Sequence, residues 1–281
     1  MYLLKTIQMK FTIITPNYNG EKYLEKCIKS VLDQKVDFEH IVVDAESTDS
    51  SADILNKYSH LRVIIEKDNG MYDAINKGLA IASGDIIAYL NCDDRYPDGS
   101  LSIVLDSFKK NKDIDYVYGN CRFINHLEQE VYIYRVPPLV SNLLGRVTVM
   151  PWAQPSVFYK KRVFDFLGPF SSKYSLAADY HFMKRVLLSE LKGQKINKIL
   201  SCFMKREDAL SVTNFNDMID EANMIKEELG HKNIYIYDND ANKYKLLKNK
   251  FKYIKIEHNL NDLINNIHID CFFLVTPAST H

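Results

Sequence analysis

The chain alternates short apolar runs with stretches of helical periodicity. Phe11 to Thr15 reads as a buried strand that Pro16 stops. Leu24, Cys27, Ile28 and Val31 then recur at helical spacing and predict a helix from about Glu21 to Gln34. His40 to Asp44 is a second strand, closed by an acid. Ser47-Thr48-Asp49 offers N-cap chemistry for a short helix carrying Ile54, Leu55 and Tyr58. Leu61 to Glu66 is a third strand. After Gly70, Met71, Ile75, Leu79 and Ala82 mark one helix face, and Asp73, Asn76 and Lys77 lie together on another. Gly84 falls where a C-cap belongs. Ile86 to Leu90 is a buried strand that runs into Asn91-Cys92-Asp93-Asp94.

Repeated strand, loop and helix imply a parallel sheet with helices on both faces. Ligands in such sheets bind beyond the carboxyl ends of the strands. Pro16, Asp44, Asp68 and Asp94 all fall at or just after those ends. Two adjacent carboxylates repel each other unless something positive sits close. Either one of Asp93 and Asp94 caps the next helix while the other is solvated, or the pair faces a divalent cation and its ligand. Asp68-Asn69-Gly70 is open in the same way. It begins a solvated polar stripe, or its free N–H groups meet an anion or polar ligand group.

Farther on, Leu101, Val104, Leu105 and Phe108 predict a helix, and Asp115 to Gly119 a strand. Residues 122–124 and 130–134 form a hairpin about His126 to Gln129. Residues 135–156 are Pro-rich and aperiodic, a long loop that is commonly functional or mobile, and they hold the single Trp, Trp152, beside Gln154. Val163 to Leu167 is a short helix. Ala177-Ala178-Asp179-Tyr180 opens a longer one that ends near Glu190. Ile196 to Met204 is a strand. Met218, Ile219, Ala222, Ile225 and Leu229 predict a helix that packs back on this first domain.

Composition narrows the classes. Apolar content of 46% in 281 residues is globular, and a formal charge of +0 gives no global field for nucleic acid. Five scattered cysteines with no CxxC pair argue against a disulfide framework or structural zinc, and for a reducing cytosol. No apolar run reaches the roughly 18 residues of a spanning helix, so any membrane contact is expected to be peripheral. Residues 1–9 are too short for a signal peptide, and Met9 fits as the natural start. The chain stops just after an apolar strand, as a piece of a longer chain would.

Together, Thr15-Pro16-Asn17-Tyr18-Asn19, Asp44 with Ser47-Thr48-Asp49, Asp68 to Gly78, Leu90 to Asp94 and Ala177 to Tyr180 resemble the family 2 glycosyltransferases. The branch that builds bacterial surface polysaccharides is the most similar. The likeness covers residues 9–229. It implies a GT-A fold, an α/β Rossmann-like mixed sheet flanked by helices, and inverting transfer from a nucleotide sugar, a UDP-sugar above all. Its acceptor would be a glycan or lipid-linked group at the inner face of the plasma membrane. The resemblance puts Thr15 and Pro16, with Asn17 beside them, at the nucleotide base. It puts Asp44 at the uracil or its ribose, and Asp68, Asn76 and Lys77 at the ribose and diphosphate. Asp93 and Asp94 match a degenerate D-x-D element, with Asp94 the ligand of Mn²⁺ or Mg²⁺. Asp179 falls at the catalytic base, although its place also suits a carboxylate interacting with a helix dipole. Trp152 and Gln154 would lie on the acceptor side. Glu46 stands where the family often has Gly. Ala153 replaces the His of a His-Gln pair, and Glu207-Asp208-Ala209 replaces a glycine pair. These departures bear on the acceptor more than the donor, and they leave room for a sugar-nucleotide binding module without transfer.

After Gly230 the pattern restarts. Strands at Ile234 to Asp238, Tyr253 to Glu257 and Cys271 to Val275 alternate with helices at 241–250 and 260–267, a half-Rossmann pattern over residues 230–281. Its last residues are similar to part of the Gfo/Idh oxidoreductase nucleotide domain, with Asp238 at the ribose. Residues 231–281 contain no glycine, which a phosphate-cradling loop needs. A structural or dimerising annex is therefore expected, rather than an NAD-dependent oxidoreductase.

Overall fold

The computed structural model describes residues 9–136, 150 and 152–229, and the strands 234–237, 254–256 and 271–274; the side chain of Ser211 and those beyond 229 are outside it. Strands β1 (Phe11–Asn17), β2 (Phe38–Asp44), β3 (Leu61–Ile65) and β4 (Ile86–Tyr89) are parallel, in the order β3-β2-β1-β4. Next come β5 (Tyr116–Ile124), β6 (Glu130–Tyr134), β7 (Val157–Lys160) and β8 (Gly193–Met204). β7 runs antiparallel between β4 and β5. β5 pairs antiparallel with β6 and parallel with β8. The helices are α1 (Leu24–Leu32), α2 (Ser51–Leu55), α3 (Met71–Ala80), α4 (Ser100–Lys110), α5 (Lys161–Leu167), α6 (Ala178–Leu188), α7 (Leu210–Thr213) and α8 (Phe215–Glu228). The result is the mixed α/β sheet flanked by helices that the resemblance implied, rather than the all-parallel sheet of the pattern, since β6 and β7 pair antiparallel.

Register puts the strand ends on one rim. Asn17 lies opposite Asp44, and Ile14 opposite Tyr89, so the loop after β4 passes the end of β1. Pro16 does not stop β1; it sits in the strand opposite Val43. The Leu90 N–H bonds to the Ile14 carbonyl. Alternation then turns the Pro16 nitrogen to the β4 side, past the last paired residue, where no ladder bond is lost. Gly84 is not a C-cap, because α3 ends at Ala80. A Cβ there would come within 2.6 Å of the Thr12 backbone nitrogen, so glycine is needed for close approach to β1. The cap of α2 also differs. Ser47 turns back to Asp44, and Asp49 Oδ1 accepts the Ser51 N–H at 2.9 Å.

β7 is an element the periodicity does not reveal. Its four residues are bounded by Pro155 and α5, too short to show alternation. Phe158 in it is fully buried, edge-on to Phe11 at 6.4 Å, and truncation to Ala there costs roughly 3–5 kcal/mol. The other face of the sheet carries an aromatic cluster of Tyr72, Tyr89, Tyr159, Phe164, Phe170 and Phe182. α8 packs on that cluster through Ile225, with Met218, Ala222 and Leu229 partly buried against it. Ile219, expected there too, is 41% exposed.

Strands β9 (Ile234–Tyr237), β10 (Ile254–Ile256) and β11 (Cys271–Leu274) make a parallel sheet in the order β10-β9-β11. The helices expected at 241–250 and 260–267, most of the loop at 135–156, and Asp238 lie outside the described residues.

Candidate active site

The ends of β1 and β2 are tied by side chains. Asp44, 3% exposed, accepts the Ser47 N–H at 2.8 Å, the Ser47 hydroxyl at 2.7 Å and Asn17 Nδ2 at 2.6 Å. Asn19, in the left-handed region at φ 50°, accepts the Thr48 N–H at 2.8 Å. A Cβ on Gly20 would sit 2.1 Å from Asn17 Oδ1, so only glycine lets the loop pass. Pro16 and Asn17 are buried at this rim. Thr15, expected at the nucleotide base, is fully buried and bonds His40 Nε2 at 2.9 Å. Its side chain faces the layer of α1, near Cys27, rather than the rim.

The β3–α3 loop closes on itself. Asp68 Oδ1 accepts the Gly70 N–H at 2.9 Å, and Asp73 Oδ2 the Asn69 N–H at 3.0 Å. Lys77 donates to the Lys67 carbonyl at 2.6 Å and lies 3.1 Å from Glu66. Asn76, expected at the ribose and diphosphate, spends both ends of its amide on the Phe170 backbone, at 2.9 and 3.0 Å. It braces the aromatic cluster.

Asp93 and Asp94 are treated differently. Asp94 is 1% exposed; its Oδ1 accepts the Met204 N–H at 2.9 Å, and its Oδ2 is buried with no partner among the described residues. Burial pushes this carboxyl well above the carboxylate range, and the neighbouring Asp93 adds to the push. Asp93 keeps 15% of its side chain exposed and pairs with Arg206 at 3.1 Å. Burial lifts it too, against the pull of Arg206. Arg206 also lies 5.1 Å over the Tyr23 ring. It lines an open cleft of about 350 Å³ with Asn19, Lys22, Thr48 and Asp208. Arg206 pairs with Asp93 and, at 3.6 Å, with Asp208; Arg206 and Arg95 act on Asp94 only at longer range, and one Asp94 oxygen has no partner among the described residues. That donor set fits a divalent cation. No group of three or more His, Cys, Asp or Glu suited to a metal is found among the described residues. The protein would thus give one or two carboxylates, with phosphate and water oxygens completing the shell. Asp94, expected as the ligand, is almost wholly buried, while Asp93 keeps some exposure and pairs with Arg206, which lines the cleft.

Asp179 opens α6, half-buried, with Oδ1 accepting the Tyr180 N–H at 2.7 Å. Burial raises its carboxyl above the ordinary range, opposed by hydrogen bonds from Tyr72 and Tyr180, and Glu221 adds to the rise. The Tyr89 phenol lies within electrostatic reach of both Asp179 and Asp94. Gln154 donates to the Tyr89 carbonyl at 3.0 Å and holds the end of β4. Trp152 is 2% exposed and packs on Tyr118 at 4.8 Å, a core residue rather than an acceptor platform. Tyr72, Tyr89, Ser47 and Glu221 escape sequence reasoning as site residues, since each works through a contact distant in sequence or a turn that only folding closes.

A mixed sheet of this order, flanked by helices, is a GT-A fold. Residues 12–166, more than half of the chain, match the family described as Glycosyl transferase family 2, and the chain belongs to that family. It is 30% identical over 181 residues to a PGL/p-HBAD biosynthesis glycosyltransferase of Mycobacterium bovis, covering 61% of this chain and 67% of the relative. The fold is similar to S. aureus TarS 1-349 in complex with UDP-GlcNAc, with a TM-score of 0.61 and 21% identity over 77% of this chain. The chain spans 66% of that structure. The mannosyltransferase PcManGT of Pyrobaculum calidifontis, in complex with GDP-Man and Mn2+, is similar with a TM-score of 0.58 and 16% identity, over 75% of this chain and 61% of its own. Among the described residues no helix is long and apolar enough to cross a membrane.

Proposed function

We propose that this chain transfers a sugar with inversion from a UDP-sugar to a glycan or lipid-linked acceptor in bacterial surface polysaccharide assembly. The observation that carries the reading is the rim after β4, where Asp93 pairs with Arg206 at an open cleft and Asp94 keeps an oxygen without a partner among the described residues. The acid pair and Asp179 would do different work. Asp93, with Asp94 behind it, would hold a Mn²⁺ or Mg²⁺ ion together with diphosphate oxygens, and the bound ion would neutralise charge on the departing nucleotide. Arg206 lies beside Asp93 and supports the same charge. The β1–β2 rim of Asn17, Asp44 and Ser47, with Asp68 in the next loop, would seat the nucleoside. The ligands of the TarS and PcManGT structures, UDP-GlcNAc and GDP-Man with Mn2+, support a nucleotide-sugar donor.

Asp179 would act as the base. The acceptor hydroxyl gives its proton to the Asp179 carboxylate as its oxygen forms the new bond to the anomeric carbon. The bond from that carbon to the diphosphate oxygen breaks, and the nucleotide leaves with the electron pair. A raised carboxyl is a stronger base once ionised, and such a group contributes typically 10²–10⁴ in rate. The test is UDP release from UDP-GlcNAc, UDP-glucose and UDP-galactose with Mn²⁺, with and without acceptor. Asp179→Asn is expected to lose transfer by about 10²-fold or more while still binding UDP. Transfer at the wild-type rate by Asp179→Asn would remove the base assignment.

A further inference from the structure

We infer that Glu221, on α8, is the positioning residue that holds Asp179 in place, by clamping the backbone that enters α6. The inference rests on the reading of Asp179 as the base. α6 starts at Ala178 behind Ala177, a residue with no side-chain cap to offer. The N–H groups at a helix start need partners from elsewhere. Glu221 supplies one of them, to Ala177, and binds two more N–H groups in the turn before it. Its Oε2 accepts the Leu176 N–H at 2.9 Å and the Ala177 N–H at 2.8 Å. Its Oε1 accepts the Ser175 N–H at 2.9 Å and the Ser175 hydroxyl at 2.8 Å. Three successive backbone donors thus close on one carboxylate, two residues before Asp179. No other side chain in the described residues binds this turn so fully, and the family match over residues 12–166 ends before either acid.

The anchor is itself anchored. One face of α8 rests on the aromatic cluster through Ile225. Two turns along, Glu228 takes the Tyr174 hydroxyl at 2.7 Å and lies 3.4 Å from His181 Nε2. α8 therefore grips the segment on both sides of Asp179. Burial opposes ionisation of Glu221, but its hydrogen bonds from Leu176, Ser175 and Ala177 hold it below the usual range, so it stays charged. Its charge reaches Asp179 and Tyr72. The groups facing Asp179 are then Tyr72 of α3, Tyr89 of β4, Tyr159 of β7 and Glu221 of α8. The three phenols are neutral at physiological pH, which leaves Glu221 the one fixed charge in that set. Placement and electrostatics meet in one residue: it aims the base and makes it stronger.

The test compares Glu221→Gln, Glu221→Asp and Asp179→Asn in the full chain. Asp179 is titrated by carboxyl ¹³C NMR, its signal assigned by loss in Asp179→Asn. UDP binding and thermal melting check the fold. Removing a like charge favours ionisation, so Glu221→Gln is expected to move the Asp179 titration down. Amide exchange at Ser175–Ala177 should quicken at least about tenfold. UDP affinity should hold within about twofold. UDP release should fall roughly ten- to hundredfold, with its acid limb moved the same way. Glu221→Asp keeps the charge but shortens the reach, so it should quicken exchange and leave the titration in place. An unmoved titration and unmoved exchange in folded Glu221→Gln would overturn the inference. Full turnover by Asp179→Asn would instead defeat the base reading, and the exchange data would still report on the clamp.

Discussion

The ends of β2 and β4 lie on one rim, and each carries a buried aspartate. Asp44 receives three hydrogen bonds, from Ser47 twice and from Asn17. Asp94 receives one, from the Met204 N–H, keeps one oxygen bare, and stands beside a second carboxylate. A charged acceptor with its donors in place stabilises its loop; one without them costs desolvation that nothing returns. The β2 end is therefore complete as it folds. The β4 end is complete only when something positive arrives. Position along a sheet does not separate the two aspartates. The count of donors does.

The largest effect that could break this comparison comes from Asp93→Asn. If the pair works with a cation on the leaving diphosphate, UDP release should fall by about 10³-fold, equivalent to roughly 4 kcal/mol of barrier. Added Mn²⁺ should raise the melting temperature of the wild-type chain and leave that of Asp93→Asn unchanged. Asp44→Asn should do the reverse. It loses hydrogen bonds to its carboxylate, worth about 2 kcal/mol or more in a denaturant titration, and as part of the nucleoside seat should raise KM for the UDP-sugar while kcat holds within about tenfold. Equal turnover losses with no loss of stability in Asp44→Asn would erase the distinction.

Asp94→Asn sharpens it on a smaller scale. Burial and Asp93 raise the Asp94 carboxyl, so the folded chain binds that proton more tightly than the unfolded chain does. Stability from this group is present below the unfolded carboxylate pKa and is lost as pH rises through the raised folded value. Near pH 8 the variant should be more stable than the metal-free wild type by about 1 kcal/mol. The gain should vanish as pH falls through the raised pKa. His40 moves the other way in both proteins. Burial depresses it to about 3, so stability falls as pH drops below its ordinary value of 6.5, and this contribution cancels in the difference. Urea titrations of the two proteins from pH 5 to 8 would read the difference, and a flat one would show that Asp94 is already satisfied.

How much of this was visible in the chain follows from range. The runs of β1 to β4 and the acids after them are local, so the rim could be read from Asp44, Asp68 and Asp93–Asp94. Pro16 and Gly84 misled, because the register of β1 decides whether a missing N–H or a missing Cβ matters. β7 was lost because four buried residues carry neither period 2 nor period 3.6. The pairs that tune the site join distant stretches: Arg206 with Asp93, Glu221 with Ser175 to Ala177, Asn76 with Phe170. No spacing announces such pairs. Trp152 shows the converse: a lone Trp in an irregular stretch reads as a recognition residue, yet packing against Tyr118 makes it core.

The smallest expected effect on the donor belongs to Glu46, between the saturated Asp44 and Ser47. It adopts φ 55°, where a non-glycine residue costs of order 1–3 kcal/mol. Glu46→Gly relieves that strain but adds freedom to the unfolded chain, a loss of roughly 0.5–1 kcal/mol. The net gain is roughly 0–2.5 kcal/mol, so the melting temperature should stay level or rise by several degrees. Binding is the better readout. Removing an acid beside the donor rim should tighten UDP a few-fold at low salt, and the gain should fade as salt screens it. If the β2 end is as complete as its hydrogen bonds imply, the loop holds its shape without the Glu46 side chain, and the whole response is electrostatic. A salt-independent change in UDP affinity would mean that the loop itself had moved, and that the order at Asp44 depends on strain at its neighbour.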